Sequence, residues 1–429
     1  MESSTRPRLQ PLPAGVFEST RIPVEGGIVA RQDGSLLLIH GAAEAGAGLA
    51  RRISLDHGRT WTPPEPITGE RMAGASGCGL IRLASGRLAL YHGAPKTGWW
   101  LSTSDDDGAT WTLAGRITDY PMYIPMYHSL IQLANGRLLL AGYWQTDEPA
   151  LGAERMAPSG WGWWQGRTLF MEGHRGPCVG FCFTYHSDDE GRTWKQGPSD
   201  LVWGIFGWFD ERGDLNGAGG VIDLYEPTAA ETRDGRVLLM ARSKIGRLVQ
   251  SWSRDSGLTW YPAEPTELAS SQSPPLLIRI PRTGDLLCVW NQVSGAEIRR
   301  GFLRGRLSSA ISTDDGSTWG HFQTLELQPG MENVARIAPE FPMPRHLVGR
   351  SPFSHLPDDF AMFTYPNVDL VGDRVFVRYL RAWARPVEGR EAPPVDDGAP
   401  RMWPRHEDRE AEMQFETVLR IYPLEWFYS

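Results

Sequence analysis

Five residues of types that could hold an anion and do chemistry on it lie scattered along this chain of 429 residues. They are Arg21, Glu226, Arg242, Arg304 and Tyr365. Guanidinium groups grip a carboxylate in a two-pronged fork and keep their charge at any ordinary pH. A neighbouring glutamate could pair with them or take a proton, and a tyrosine hydroxyl could donate or accept one. A sixth residue, His128 in Tyr127-His128-Ser129, could serve as a general acid or base, or equally as a hydrogen-bonding residue at a rim.

These residues matter together only if the fold collects them, so the elements that carry them come next. Residues 225–260 read as one antiparallel unit. Thr228 and its successors make a first strand, Asp234-Gly235 a tight turn, Val237-Leu238-Leu239-Met240 a second strand, and residues 247–253 a third. Glu226 stands before the first strand and Arg242 just after the second. With strands running down, up and down, both fall at one end and both turns at the other. The same bookkeeping along the chain puts Arg21, Arg304, Tyr365 and His128 at the end that carries Glu226 and Arg242.

The extension is justified because the unit repeats. Ser54-Leu55-Asp56-His57-Gly58-Arg59-Thr60-Trp61 recurs as a near-identical octet beginning at Ser104, Ser187, Ser253 and Ser312. In such a turn the aspartate accepts backbone N–H groups, glycine supplies a backbone angle other residues resist, and tryptophan packs between sheets. Asp33-Gly34, Ser85-Gly86, Asn135-Gly136, Asp234-Gly235 and Thr283-Gly284 mark an earlier hairpin in each repeat, and Gly372-Asp373 a sixth. Six hairpins and five boxed turns predict an all-β, six-bladed β-propeller. Residues 1–15 would be a tail and residues 16–429 one propeller, with the strand at residues 415–422 completing the sixth blade and closing the ring. Insertions are expected at about 146–177, 292–304 and 386–412, all on the face opposite the boxes, where a pocket would be built. Trp161, Trp163 and Trp164 in the first of these could stack on sugar rings or plug the insertion against the propeller.

Composition agrees and excludes other classes. Eighteen Trp, 48 Gly and 33 Pro suit short strands and many turns. A formal charge of −8 argues against nucleic acid or an anionic membrane as partner. No stretch approaches a membrane span, and residues 1–15 lack an apolar core, which points to a cytoplasmic protein or a secreted one whose signal peptide was removed. The four cysteines form no disulfide framework; Cys78 and Cys288 read as buried thiols. His174, Cys178, Cys182 and His186 recur every fourth residue, but in a strand only Cys182 and His186 share a face, so no metal site is expected.

The boxes resemble the Asp-boxes of the sialidase (neuraminidase) superfamily, a six-bladed propeller fold, over nearly the whole chain. In style the chain is closest to sialidase-like bacterial BNR-repeat proteins, through Ser273-Pro274-Pro275-Leu276 with the strand around Trp290, and through Tyr127-His128 with the strand that follows. Arg21 in Arg21-Ile22-Pro23 resembles the family's first carboxylate-binding arginine, Arg242 the second and Arg304 the third, with Arg300 and Arg306 as rivals for the last. Glu226 resembles the glutamate that serves as base to the nucleophilic tyrosine, which Tyr365 resembles. A sugar bearing a carboxylate at its anomeric carbon repels an Asp or Glu nucleophile, and a tyrosine avoids that repulsion. The box aspartates are read as structural.

The resemblance implies an exo-acting, retaining glycoside hydrolase for the terminal anionic sugar of an acidic oligosaccharide or glycoconjugate, with no cofactor. The pattern departs from the family in blade one. There the family places its acid/base, an aspartate, in the loop after the second strand; here residues 41–48 offer only Glu44, with His40 closing the strand before it. The segment after Pro23 also departs, with Glu25-Gly26-Gly27 where the family continues apolar. Two alternatives therefore stay open: a uronate lyase in which His128 or Tyr365 removes a proton, and a glycan-binding propeller without turnover.

Overall fold

The computed structural model describes residues 9–42, 48–94, 98–118, 129–145, 161–164, 167–170, 179–205, 208–209, 215–216, 221–243, 245–271, 273–299, 304–339, 361–386 and 411–429. It is a six-bladed β-propeller. Blade one contains Gly27–Ala30, Leu36–Gly41, Leu49–Ser54 and Glu65–Pro66, paired antiparallel in that order. Blade two contains Gly77–Arg82, Leu88–Ala94, Gly98–Ser104 and Thr112–Thr118. Blade four contains Tyr225–Glu231, Val237–Arg242, Arg247–Ser253 and Glu264–Ala269; blade five contains Leu276–Arg279, Leu286–Trp290, Arg306–Ser312 and Gly320–Leu327.

Blade three is built on Leu130–Gln132, Leu138–Gln145 and Val179–Ser187. Its outer edge is divided. Lys195–Gln196 pairs one end of Val179–Ser187, while Val221–Asp223 pairs the other in parallel and carries Gly204–Ile205 beyond it. That second edge was not foreseen, because two- and three-residue strands leave no periodic signal.

The ring closes differently from the expectation. The C-terminal strand Ala411–Pro423 lies third in blade six, after Ala361–Val371 and Arg374–Pro386. The outermost place is taken by Phe17–Thr20 from the N-terminus, paired antiparallel with Val418 to Ile421. Each blade is held to the next by an apolar cluster. Leu38 and Phe376 join blades one and six, Leu37 and Leu90 blades one and two, and Leu101 and Leu140 blades two and three. Leu139 and Val237, Leu238 and Leu286, and Leu287 and Val377 continue the circuit to blade six. Leu, Val and Ile from both faces of each sheet are buried, which accounts for the continuous apolar runs in the second strands.

The boxes behave as expected. Asp56 Oδ1 accepts the Thr60 amide at 2.8 Å and Oδ2 the Thr60 hydroxyl at 2.6 Å, while the Ser54 hydroxyl accepts the Gly58 amide at 2.8 Å. The same bonds recur at Asp106, Asp189, Asp255 and Asp314. Those hydrogen bonds, led by the Thr60 and Thr110 hydroxyls, depress the Asp56 and Asp106 carboxyls to about 2. The boxes share an end with the tight hairpin turns, since the Gln32 amide donates to Asp107 at 2.7 Å and the Arg233 amide to Asp315 at 3.0 Å.

Of the expected insertions, 146–160, 165–166, 171–178, 300–303 and 387–410 fall outside the described residues, as do the side chains of Trp161, Trp163 and Trp164. Gly295–Arg299 forms a short helix. Cys78, Cys182 and Cys288 are buried thiols outside any disulfide. Cys182 and His186 do share a face of Val179–Ser187, but His174 and Cys178 lie outside the described residues, among which no group of acidic, His or Cys side chains could hold a metal. Among the described residues no helix is long and apolar enough to cross a membrane.

Candidate active site

Glu226 and Tyr365 owe their placement to the same backbone irregularity. In blade four, Tyr225 pairs with Arg242 and Thr228 with Met240, so Glu226 and Pro227 stand opposite the single residue Ala241. In blade six, Thr364 pairs with Leu380 and Asn367 with Arg378, so Tyr365 and Pro366 stand opposite Tyr379. Each is a β-bulge one residue long, completed by a proline that has no N–H to give the ladder. Glu226 and Tyr365 have φ of 51° and 55°, and Arg21, at the corresponding entry to blade one, has φ of 67°. Side chains other than glycine adopt this left-handed conformation at a cost of about 1–3 kcal/mol, and outside the box turns, where His57, Asp107, Glu190, Ser256 and Asp315 also adopt it, it needs a local reason. Three of the five residues singled out by sequence share it.

Four side chains from three consecutive blades come together. Arg242, the last residue of its strand rather than the first after it, is 1% exposed and donates from Nη1 to Glu226 Oε2 at 2.6 Å. Its guanidinium carbon lies 4.4 Å from the centre of the Tyr225 ring. Burial works against its charge, but Glu226, with Tyr225 and Tyr365 nearby, outweighs burial and raises its pKa. Arg304, 4% exposed, lies with its guanidinium carbon 5.3 Å from the centre of the Tyr365 ring and donates to the Thr364 hydroxyl. Burial lowers the Arg304 pKa; a hydrogen bond and the electrostatic pull of Tyr365 oppose the fall, and the charge of Arg242 adds to it.

The rival Arg306 is committed elsewhere. It is fully buried, forked onto Glu297 at 2.7 and 3.1 Å, and bonded to the Glu332 carbonyl at 2.6 Å. Arg300, Glu44 and His128 lie outside the described residues. Arg21 is exposed on blade one, and its backbone N–H donates to Thr417 O at 3.0 Å. Its side chain makes none of the described contacts of the four-residue cluster.

His40 is no spare acid. Its Nδ1–H donates to Gly41 O at 2.6 Å, and Nε2 accepts from Arg52 Nε at 3.2 Å. Burial, with the charges of Arg52 and Arg378, presses its pKa down to about 4, so it is neutral at pH 7 with both nitrogens engaged.

One support was missed in the sequence. Buried Asn367, two residues after Tyr365, donates at 2.8 Å to both Val24 O and Gly26 O. Arg378 donates to Pro23 O and Glu25 O at 2.9 Å and to Asp369 at 2.7 Å, and Asp369 accepts the Ile28 amide at 2.9 Å. Blade six thus holds the segment that carries Arg21 and Glu25. The only hint in the sequence was an excess of polar residues in two strands that read as core.

A propeller of boxed turns with its polar cluster on the face away from the boxes is the architecture of the sialidase-like BNR propellers. Residues 51–377 match the BNR repeat-like domain family, and the chain belongs to it. Among solved structures, a protein of unknown function from Dyadobacter fermentans is similar at 16% identity, with 95% of this chain and 99% of that chain covered and a TM-score of 0.51. A Hadza microbial sialidase, Hz136, is 18% identical over 70% of this chain and 57% of its own, with a TM-score of 0.44. An α-L-arabinanase from Penicillium chrysogenum complexed with arabinobiose is 14% identical over 94% of this chain and 93% of its own, with a TM-score of 0.47. At these identities the likeness concerns the fold alone. No curated protein matches the chain.

Proposed function

We propose that this propeller is a glycoside hydrolase that removes a terminal acidic sugar from a glycan with retention of configuration. The observation that carries the reading is the meeting of Arg242, Arg304, Glu226 and Tyr365 at one end of blades four to six. Two buried guanidinium groups repel each other, as the downward pull of Arg242 on Arg304 records. A substrate carboxylate relieves that repulsion and is held in a charge-assisted fork. Exposed Arg21 supplies a third contact from blade one as substrate enters.

In this reading the Tyr365 hydroxyl attacks the anomeric carbon and the Glu226 carboxylate takes its proton. Arg304, against the ring, favours the developing phenolate. Water then bonds to the anomeric carbon, the bond to tyrosine breaks, and the tyrosine oxygen recovers its proton from Glu226. Sialic acid fits this chemistry best, because its carboxylate sits on the anomeric carbon where a carboxylate nucleophile is repelled.

Mass spectrometry of acidic oligosaccharides incubated with the protein tests the reading. Water added across a glycosidic bond is expected, with Tyr365→Phe abolishing turnover while acidic-sugar binding and thermal stability persist. An unsaturated product would convict the reading in favour of a lyase, and binding without product in favour of a lectin-like role.

A further inference from the structure

We infer that Glu25 is the general acid and base of the hydrolase proposed above, doing from the first strand's entry loop what the family's aspartate does from the loop after the second strand. The inference rests on that reading and adds the residue it lacks.

Glu25 lies on the right face, in the segment that leads into the innermost strand of blade one. Its place is fixed from the tyrosine-bearing blade. Asn367 and Arg378 together accept no freedom in residues 23–26, since they bond the carbonyls of Pro23, Val24, Glu25 and Gly26. Gly26, with φ of 82°, lies so close to the second strand that a Cβ there would sit 1.7 Å from Ile39 O. The segment therefore folds over the end of that strand. Glu25 Oε2 lies 3.1 Å from where a Cβ on Gly41 would stand, so the carboxyl occupies the mouth of blade one, where a larger residue at position 41 would crowd it.

Its chemical state suits an acid. Glu25 is half-buried, and among the described residues its carboxyl has no hydrogen bond and no ion pair. Arg378 spends its guanidinium on backbone carbonyls and Asp369, Cys78 of blade two is buried, and His40 is neutral. Loss of water raises its pKa above the ordinary glutamate value, the direction a proton donor requires. Glu226 differs: it is the ion-paired carboxylate of Arg242, on blade four. Two carboxyls in contrasting surroundings divide the roles of proton donor and proton acceptor.

The proton balance closes. As Tyr365 Oη bonds to the anomeric carbon, the glycosidic C–O pair leaves on the aglycone oxygen, which takes the Glu25 proton, while the phenolic proton passes to Glu226. In the second half, Glu25 carboxylate takes a proton from water, the hydroxyl oxygen bonds to the anomeric carbon, and Tyr365 departs with the proton from Glu226.

The test compares Glu25→Gln and Glu25→Asp with the parent on 4-methylumbelliferyl and lactosyl glycosides of N-acetylneuraminic acid and of hexuronic acids. An acid is needed most by the poor leaving group, so Glu25→Gln should lose about 10²–10⁴-fold in kcat/KM on the lactosyl substrate and far less on the aryl one. Glu25→Asp should retain partial lactosyl cleavage, and the basic limb of the parent's pH profile should vanish in Glu25→Gln. Equal losses on both substrates, no loss on either, or the leaving-group pattern appearing in Glu44→Ala instead would overturn the assignment to Glu25 and leave the hydrolase standing. A folded parent that releases nothing from any of these glycosides would overturn the hydrolase reading, and the role of Glu25 with it.

Discussion

Arg242 and Glu226 show how a residue chosen for ligand binding becomes part of the fold. Sequence reading placed Arg242 just after the apolar second strand. The structure instead ends the strand on it and buries it against Glu226 at 2.6 Å. Arg242→Ala therefore strands a buried carboxylate, a loss of about 3–5 kcal/mol in pairs of this kind. Glu226→Gln in that background should cost little more, or recover part of the loss, because the orphaned charge goes with it. A double-mutant cycle by chemical denaturation reads this directly; additive losses would mean that the two residues act separately. Binding of acidic sugars should fall in Arg242→Ala and stay lost in the double variant, which separates the ligand contact from the stability effect.

The repeating element is the boxed turn, and its glycine faces two demands. Gly108 has φ of 84°, and a Cβ there would come within 2.5 Å of Leu37 in the preceding blade. Gly58, Gly191, Gly257 and Gly316 meet Phe376, Leu101, Leu139 and Leu238 in the same way. Gly136, in a hairpin turn, has φ of 90° but open space around it. Gly136→Ala should thus cost only the left-handed backbone penalty of about 1–2 kcal/mol. Gly108→Ala should cost that and a further overpacking loss of about 1–3 kcal/mol, since an inter-blade leucine must move. Thermal denaturation of both variants ranks them, and equal shifts would show that the box glycine is selected by conformation alone.

At the scale of the whole molecule, the ring is closed by charge as well as by strand pairing. Glu18 of the N-terminal strand bonds Arg381 at 3.0 Å and Arg420 at 2.8 Å, and both arginines share the buried Glu326 of blade five. Burial pushes the Glu18 pKa up, but its bonds to Arg381 and Arg420 prevail and hold it below the usual carboxylate value. A carboxyl with a depressed folded pKa stabilises above its unfolded pKa of about 4.3, and that stabilisation disappears as pH falls through the folded value. Glu18→Gln should accordingly lower the melting temperature at pH 7, with the gap to the parent closing as the pH drops below about 4. A gap that persists unchanged into acid would mean that packing of Phe17–Thr20, not the charge, closes the ring.

The order of blades, the boxes and the end of the molecule on which Arg21, Glu226, Arg242, Arg304 and Tyr365 stand were all determined by sequence. The box is legible because its hydrogen bonds span at most four residues, as from Asp56 to Thr60, and strand direction follows from alternating turns. Glu226-Pro227 and Tyr365-Pro366 were visible as pairs, but their meaning depends on register against Ala241 and Tyr379. Tertiary structure alone decided that Arg304 rather than Arg306 faces Tyr365, because the commitment of Arg306 to Glu297 and Glu332 depends on how a loop folds back. It alone left Glu25 a half-desolvated carboxyl without a partner among the described residues, in a segment held by bonds from Arg378 across 353 residues. Ring closure likewise joins Glu18 to Arg420, 402 residues apart. Local hydrogen bonding leaves its pattern in adjacent letters, whereas burial and pairing across the ring arise only after distant segments have packed.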